Sequence, residues 1–124
     1  MIRSVGLDIV DISRIERDIT RFGDRFVHRL LGAQEQSLFD RRRDKEAFLA
    51  GRLAAKEAVI KGLAPFLETR PPFRAIEIVG GSTGVPELCL PLSIQQQLGP
   101  VTCLLSLSHE KNYAVAVAIF TEGE

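Results

Sequence analysis

The stretch "FLAGRLAAKEAVIKGL", Phe48 to Leu63, constrains the fold more than any other part of the chain. At about 100° per residue, Phe48, Leu49, Leu53, Val59, Ile60 and Leu63 share one broad helical face. The spacing predicts a helix over residues 46–63, ended by Gly62 and Pro65. Arg52 and Lys56 fall inside that apolar arc, four residues apart. Either their alkyl stems cover apolar surface while the charged heads reach water, or both cations point at a polyanion such as phosphate. The other side carries Ala50, Gly51, Ala54 and Ala58, small enough for something to approach closely, with Glu57 and Lys61 among them. Alone, Glu57 and Lys61 read as a solvated i,i+4 pair. They acquire chemistry if Asp8 packs beside Glu57, because two carboxylates with open positions suit Mg²⁺ and leave room for phosphate oxygens. Lys61 then neutralises charge on a transferring phosphoryl group.

The elements around this helix follow from periodicity. "IRSVGLDIV" alternates Val5, Leu7 and Ile9 against Ser4, Gly6 and Asp8, a strand with Asp8 on the face opposite the apolar set and so not required in the main core. Ser13 and Glu16 form a capping box that opens a helix with Ile15, Ile19, Phe22 and Phe26 as its apolar positions, interrupted near Gly23. A short helix is predicted over residues 33–39. Beyond the loop "APFLETRPP" the pattern turns to strands: "AIEIVG", the turn "GSTGVP" and "ELCL" make one hairpin. Ser93 caps a short helix "IQQQLG", and "VTCLLSLS", "HEKN" and "YAVAVAIF" make a second hairpin. No repeat, linker or low-complexity segment interrupts the 124 residues, so one domain over 1–124 is expected. Helices in one half and antiparallel strands in the other predict an α+β fold, an antiparallel sheet with the N-terminal strand and helices packed on it.

Net charge is zero, but its distribution is not even. Residues 1–62 hold 13 Lys+Arg against 10 Asp+Glu, and the remainder 3 against 6, which puts anionic partners on the first half. Near-neutral overall charge argues against general nucleic-acid binding. No apolar run approaches a membrane span, and "MIRSVGLDIVDIS" reaches an acid too early for a secretory signal, so a cytoplasmic protein is expected. Cys89 and Cys103 lack zinc or redox spacing and read as buried reduced thiols. Arg14, Arg17, Arg21 and Arg25 occupy an arc of roughly 80° on the first helix. Either this is an exposed face softened by Asp18 and Asp24, or it is a docking surface for an acidic protein helix, with Arg29 extending it.

Taken together, Asp8 in "VGLDIVDISRIE", the run "FLAGRLAAKEAVIKG" and the terminal "SLSHEKNYAVAVAI" resemble the holo-acyl-carrier-protein synthases, the small trimeric type of 4′-phosphopantetheinyl transferase. The resemblance covers most of the chain, and its specificity lies in the combination of G-x-D, K-E-x-x-x-K and S-H. It implies transfer of the 4′-phosphopantetheine arm from coenzyme A to a serine of an apo acyl carrier protein, with Mg²⁺ on the pyrophosphate and release of adenosine 3′,5′-bisphosphate. It also implies a homotrimer with sites between subunits. By resemblance Asp8 and Glu57 are metal ligands, Lys56 and Lys61 are the motif lysines, and His109 is the histidine near the nucleotide. Arg52 and Arg43 become candidates for coenzyme A phosphates, and the arginines of the first helix the carrier surface. Glu57 through a water is the first candidate for the base that accepts the serine proton, and Glu35 the second. His28 reads as structural. The chain departs from the family in "GLAPFLETRPPFR", bulkier than the Gly-rich turn that commonly follows the K-E helix.

Two rival functions use the same residues differently. A Mg²⁺-dependent nucleotide pyrophosphohydrolase would use the same carboxylates without a carrier. A non-catalytic carrier-binding module would keep the Arg stripe and have no use for Asp8 with Glu57. Ser106 and Ser108 beside His109 do not make a Ser-His hydrolase, since no G-x-S-x-G elbow is present, and "VGGSTGVP" lacks the G-K-[ST] of a phosphate loop.

Overall fold

The computed structural model describes residues 1–80 and 84–123. In chain order these form β1 (Ile2–Asp11), α1 (Ile12–Phe22), α2 (Asp24–Leu30), α3 (Ala33–Asp40), α4 (Lys45–Leu63), a 3-10 turn (Phe73–Ala75), β2 (Glu77–Gly80), β3 (Pro86–Cys89), α5 (Leu92–Leu98), β4 (Thr102–His109) and β5 (Tyr113–Thr121). An antiparallel sheet in the order β1-β5-β4 and a separate β2-β3 hairpin accompany the helices, the α+β arrangement expected. The turn predicted at "GSTGVP" falls partly outside the described residues.

Helix α4 is the axis of the molecule. Its small side takes the sheet, and the contact is close because side chains are missing on both partners. A Cβ added to Gly6 of β1 would lie 1.7 Å from the Ala58 carbonyl oxygen, and one added to Gly62 would lie 2.3 Å from the ring of Phe120 in β5. The Ser4 hydroxyl donates to the Gly62 carbonyl at 2.5 Å, pinning the start of β1 to the last turn of α4. Gly62 is therefore a packing residue inside the helix rather than its terminator, and the helix ends at Leu63.

The alternation in β1 holds, but its faces are the reverse of the simplest reading. Gly6, Asp8 and Val10 look inward on α4, while Val5, Leu7 and Ile9 are 54, 59 and 63% exposed. Their neighbours across the sheet, Ile119, Val117 and Val115, continue the same outer face, and Leu104 opposite Ile119 extends it onto β4. The physical reason is the spacing just described: a strand pressed onto an Ala/Gly helix face turns its small residues inward. Asp8 thus belongs to the packed face, its side chain 19% exposed.

Local signals need similar adjustment at two helix starts. Asp11, not Ser13, caps α1, its Oδ1 accepting from the Ser13 amide at 2.9 Å and the Ser13 hydroxyl at 2.7 Å. These bonds hold the Asp11 carboxyl below its usual range. Ser93 lies within the first turn of α5, and Pro91 is the residue before that helix. Gly23, at φ +59°, separates α1 from α2, a backbone conformation that costs glycine little. Cys89 and Cys103 are free and half-buried rather than buried, and burial pushes the Cys103 thiol up to about 11.

The largest departure concerns Lys56, which is neither a snorkelling side chain nor a phosphate ligand in this structure. It is fully buried, and its Nζ donates to Glu35 Oε1 (2.5 Å), the Leu30 carbonyl (2.5 Å) and the Phe73 carbonyl (2.9 Å). Three donors meet three acceptors. Glu35, equally buried, spends its other capacity on the Gly32 and Ile78 amides, which removes it as a base for an incoming hydroxyl. The pair ties α2, α3, α4, the 3-10 turn and β2 together. Burial lowers the Lys56 pKa, opposed by the Glu35 carboxylate.

Two expectations follow from these contacts. Gly6→Ala forces β1 away from α4 and lowers stability by roughly 3 kcal/mol, read from the denaturant midpoint. Lys56→Met strands the Glu35 carboxylate and costs about 3–5 kcal/mol; adding Glu35→Gln, which removes the charge and keeps an acceptor oxygen, recovers part of the loss in the same measurement.

Candidate functional site

A groove of about 550 Å³ opens beside the inner face of β1, between α1–α2 and α4. Asp8 enters from β1 and Glu57 from α4, so residues 49 positions apart in sequence share one cavity. Each has a cation in contact. Lys61, one helical turn beyond Glu57, donates to Asp8 Oδ1 at 3.0 Å and to the Leu7 carbonyl at 3.0 Å. Arg70 reaches Glu57 Oε1 at 3.4 Å from the loop after α4. The Glu57–Lys61 pair expected along the helix is thus replaced by two pairs across elements.

The arginine stripe divides over two surfaces. Arg14 and Arg25 line the groove together with Arg29, Arg14 lying 3.8 Å from Asp18. Arg17 and Arg21 line an adjoining shallow surface with Ser13 and Glu16. Phe22, Phe26, Leu53 and Phe73 give the groove an apolar wall, with Phe22 46% exposed. Sequence reasoning placed Asp18 only on an exposed face and missed Phe73 and Arg70. Asp18 carried a usable signal, standing four residues after Arg14 on the same helix, whereas Arg70 sits in a loop whose path no periodicity encodes.

The remaining candidates stand elsewhere. Arg52 does not line the groove; its guanidinium lies 4.5 Å from the centre of the Phe48 ring and its Nε 3.8 Å from Glu35. Arg42 covers the same ring at 5.0 Å and forks onto Asp44 with two 2.8 Å bonds. That fork holds the Asp44 carboxyl below its usual range, with His109 adding to the effect. His109 at the end of β4 and the exposed Arg43 therefore belong to the N-terminal end of α4. Glu57 stands thirteen positions after Asp44, about 20 Å along the helix axis. The chain brings Asp8, Glu57, Lys61, Arg14 and Arg25 together, and leaves His109, Arg43 and Arg52 at a distance.

Among the described residues no group of three or more His, Cys, Asp or Glu is placed to hold a metal. Two carboxylates on a groove with open space nonetheless fit Mg²⁺, a cation that keeps several waters and takes one or two carboxylates alongside substrate phosphates. A zinc-type cage is not what these donors make. The arrangement suits holding an anionic phosphate ester against a divalent ion, with cations at hand to neutralise charge as it moves.

The chain has relatives among known proteins. Residues 4–118 match the model of the 4′-phosphopantetheinyl transferase superfamily. The chain is 40% identical over 120 residues to the holo-[acyl-carrier-protein] synthase of Shewanella amazonensis, covering 93% of this chain and 94% of that protein. To the synthase of Desulfovibrio desulfuricans it is 36% identical over 122 residues, 96% and 97% of the two chains. The crystal structure of the Neisseria meningitidis synthase superimposes with a TM-score of 0.87 at 30% identity, covering 98% and 99% of the two chains. That of the Helicobacter pylori synthase in complex with coenzyme A gives 0.82 at 30% identity, over 94% and 99%. The groove with its paired carboxylates therefore belongs to a member of the 4′-phosphopantetheinyl transferase superfamily.

Proposed function

We propose that this protein is a holo-acyl-carrier-protein synthase, transferring 4′-phosphopantetheine from coenzyme A to a serine of an acidic apo acyl carrier protein in a Mg²⁺-dependent reaction. The observation that carries the reading is that Asp8 and Glu57 line one groove rimmed by Arg14, Arg25 and Arg29. The structurally similar Helicobacter pylori synthase was crystallised in complex with coenzyme A. No described helix is long and apolar enough to cross a membrane.

In this reading Asp8 and Glu57 hold Mg²⁺, which supplies charge stabilisation on the pyrophosphate. The carrier serine oxygen forms a bond to the phosphorus nearest pantetheine, and the bond from that phosphorus to the bridging oxygen breaks. Adenosine 3′,5′-bisphosphate departs with the electron pair. Lys61, held at the groove by the Leu7 carbonyl, neutralises charge on the transferring group. Glu57 accepts the serine proton across a water, since Glu35 is locked in the interior. Arg14, Arg17, Arg21 and Arg25 meet the carrier's acidic surface, which sets orientation and encounter rate.

The working form in this reading is a homotrimer. The exposed face of Val5, Leu7, Ile9 and Leu104 is an apolar surface in need of cover. Its burial between copies would bring the His109 and Arg43 end of one chain to the groove of another, answering the separation of about 20 Å along α4. The carrier-binding-module reading has no use for the paired carboxylates, and the pyrophosphohydrolase reading none for the arginine rim.

Apo carrier protein, coenzyme A and Mg²⁺ incubated with the enzyme should yield carrier heavier by one phosphopantetheine group in the mass spectrum. Asp8→Ala should slow that gain on the order of a hundredfold or more. Cleavage of coenzyme A without carrier, and no mass gain with it, would instead establish the hydrolase. Leu7→Glu, on the outer sheet face, should reduce the sedimenting species to a single chain.

A further inference from the structure

The loop after α4 is where the sequence departs from its family, and it delivers a cation to the site. Residues 64–72 leave α4 and return at Phe73, whose carbonyl is fixed by the buried Lys56 at 2.9 Å. Pro71 and Pro72 precede that anchor and lock φ at two consecutive positions. The Arg70 guanidinium rests 5.5 Å from the centre of the Phe73 ring, which itself lines the groove. Arg70 is thus based on a rigid segment although its head is 61% exposed.

Arg70's engagement is light. One of its five N–H donors meets Glu57 Oε1, at 3.4 Å, and among the described residues no other acceptor is within hydrogen-bond reach. The two lysines that flank Glu57 on α4 are more committed: Lys56 is saturated, and Lys61 is shared between Asp8 and the Leu7 carbonyl. A planar fork with spare donors beside a carboxylate matches a second anion, above all the paired oxygens of a pyrophosphate.

We propose that Arg70 is a coenzyme A pyrophosphate ligand that exchanges partners, sitting on Glu57 when the groove is empty and on a pyrophosphate oxygen when substrate and divalent ion are bound. The inference rests on the function proposed above. A guanidinium on Glu57 Oε1 repels a divalent ion on the same carboxylate, so Arg70 opposes metal binding in the empty groove and favours binding of the metal with coenzyme A. Its removal should move the two affinities in opposite directions, a signature that a decorative surface ion pair lacks.

The test compares wild type with Arg70→Ala, Arg70→Lys and, as a control, Arg74→Ala, whose Nε faces the Leu31 carbonyl at 3.2 Å. Calorimetric titration with coenzyme A in excess Mg²⁺ should show Kd raised roughly tenfold in Arg70→Ala, by less in Arg70→Lys, and unchanged in Arg74→Ala. Titration with Mn²⁺ alone, read from the free-ion paramagnetic resonance signal, should show severalfold tighter binding in Arg70→Ala. Coenzyme A affinity within twofold of wild type in Arg70→Ala, or an equal loss in Arg74→Ala, overturns the assignment. Failure of the wild type itself to bind coenzyme A overturns the proposed function instead.

Discussion

The seating of β1 on α4 is the contact on which the site depends. Where Gly6 faces the Ala58 carbonyl there is no space for a single methyl group, and at that separation Asp8, two residues along the same strand face, arrives within hydrogen-bond distance of Lys61. Strand and helix are far apart in sequence, so only this packing can join their charges. Alanine and glycine on α4 are usually credited with helix propensity or flexibility. Here their service is absence of volume, and the carboxylate pair is the consequence.

The second constraint is the buried ion pair. Moving Lys56 and Glu35 out of water costs several kcal/mol per ion before their attraction and hydrogen bonds repay it, so the pair is not retained for stability alone by default. Its geometry suggests what it specifies. Lys56 binds the carbonyls of Leu30 and Phe73, and both residues line the groove. One ammonium therefore fixes the spacing of two walls, and a hydrophobic replacement of equal volume could fill the space without setting that width. Lys56, beside Glu57 in the K-E motif, lies beneath the groove, while Glu57 lines it and Lys61 stands at the surface.

Periodicity made most of the elements legible. The helix over residues 46–63, both hairpins, the break at Gly23 and the α+β arrangement follow from spacing of apolar residues and turn chemistry, and each has its counterpart in the structure. What spacing could not supply was which side of a pattern faces in. For β1 it separated Val5, Leu7 and Ile9 from Gly6 and Asp8 correctly and left their orientation to be decided by the partner surface. The same limit hid Lys56: a cation in an apolar arc is equally consistent with water, phosphate or a buried counterion, and Glu35 gave no local sign of being that counterion. Of the candidate site, Asp8, Glu57, Lys61, Arg14 and Arg25 could be nominated from the sequence because they sit on regular elements. Arg70 could not be, because its position is set by the Lys56–Phe73 anchor rather than by neighbours in sequence.

The charge arrangement also bears on how such a groove avoids wasting its own electrostatics. Two bare carboxylates on one wall would repel each other and draw any cation, while two bare cations would draw any anion. Pairing Lys61 with Asp8 and Arg70 with Glu57 lessens both liabilities on that wall, while Arg25 and Arg29 keep the rim of the groove positive. Such exposed pairs are individually worth little, with a median of about 0–1 kcal/mol, so they are cheap to open. A ligand bringing both a divalent cation and a polyphosphate satisfies all four groups together, whereas either component alone leaves half of them unpaired. Under the proposed function, selectivity for the combined ligand would arise from the weakness of the resting pairs, and the exposed position of Lys61 and Arg70 is what keeps them weak.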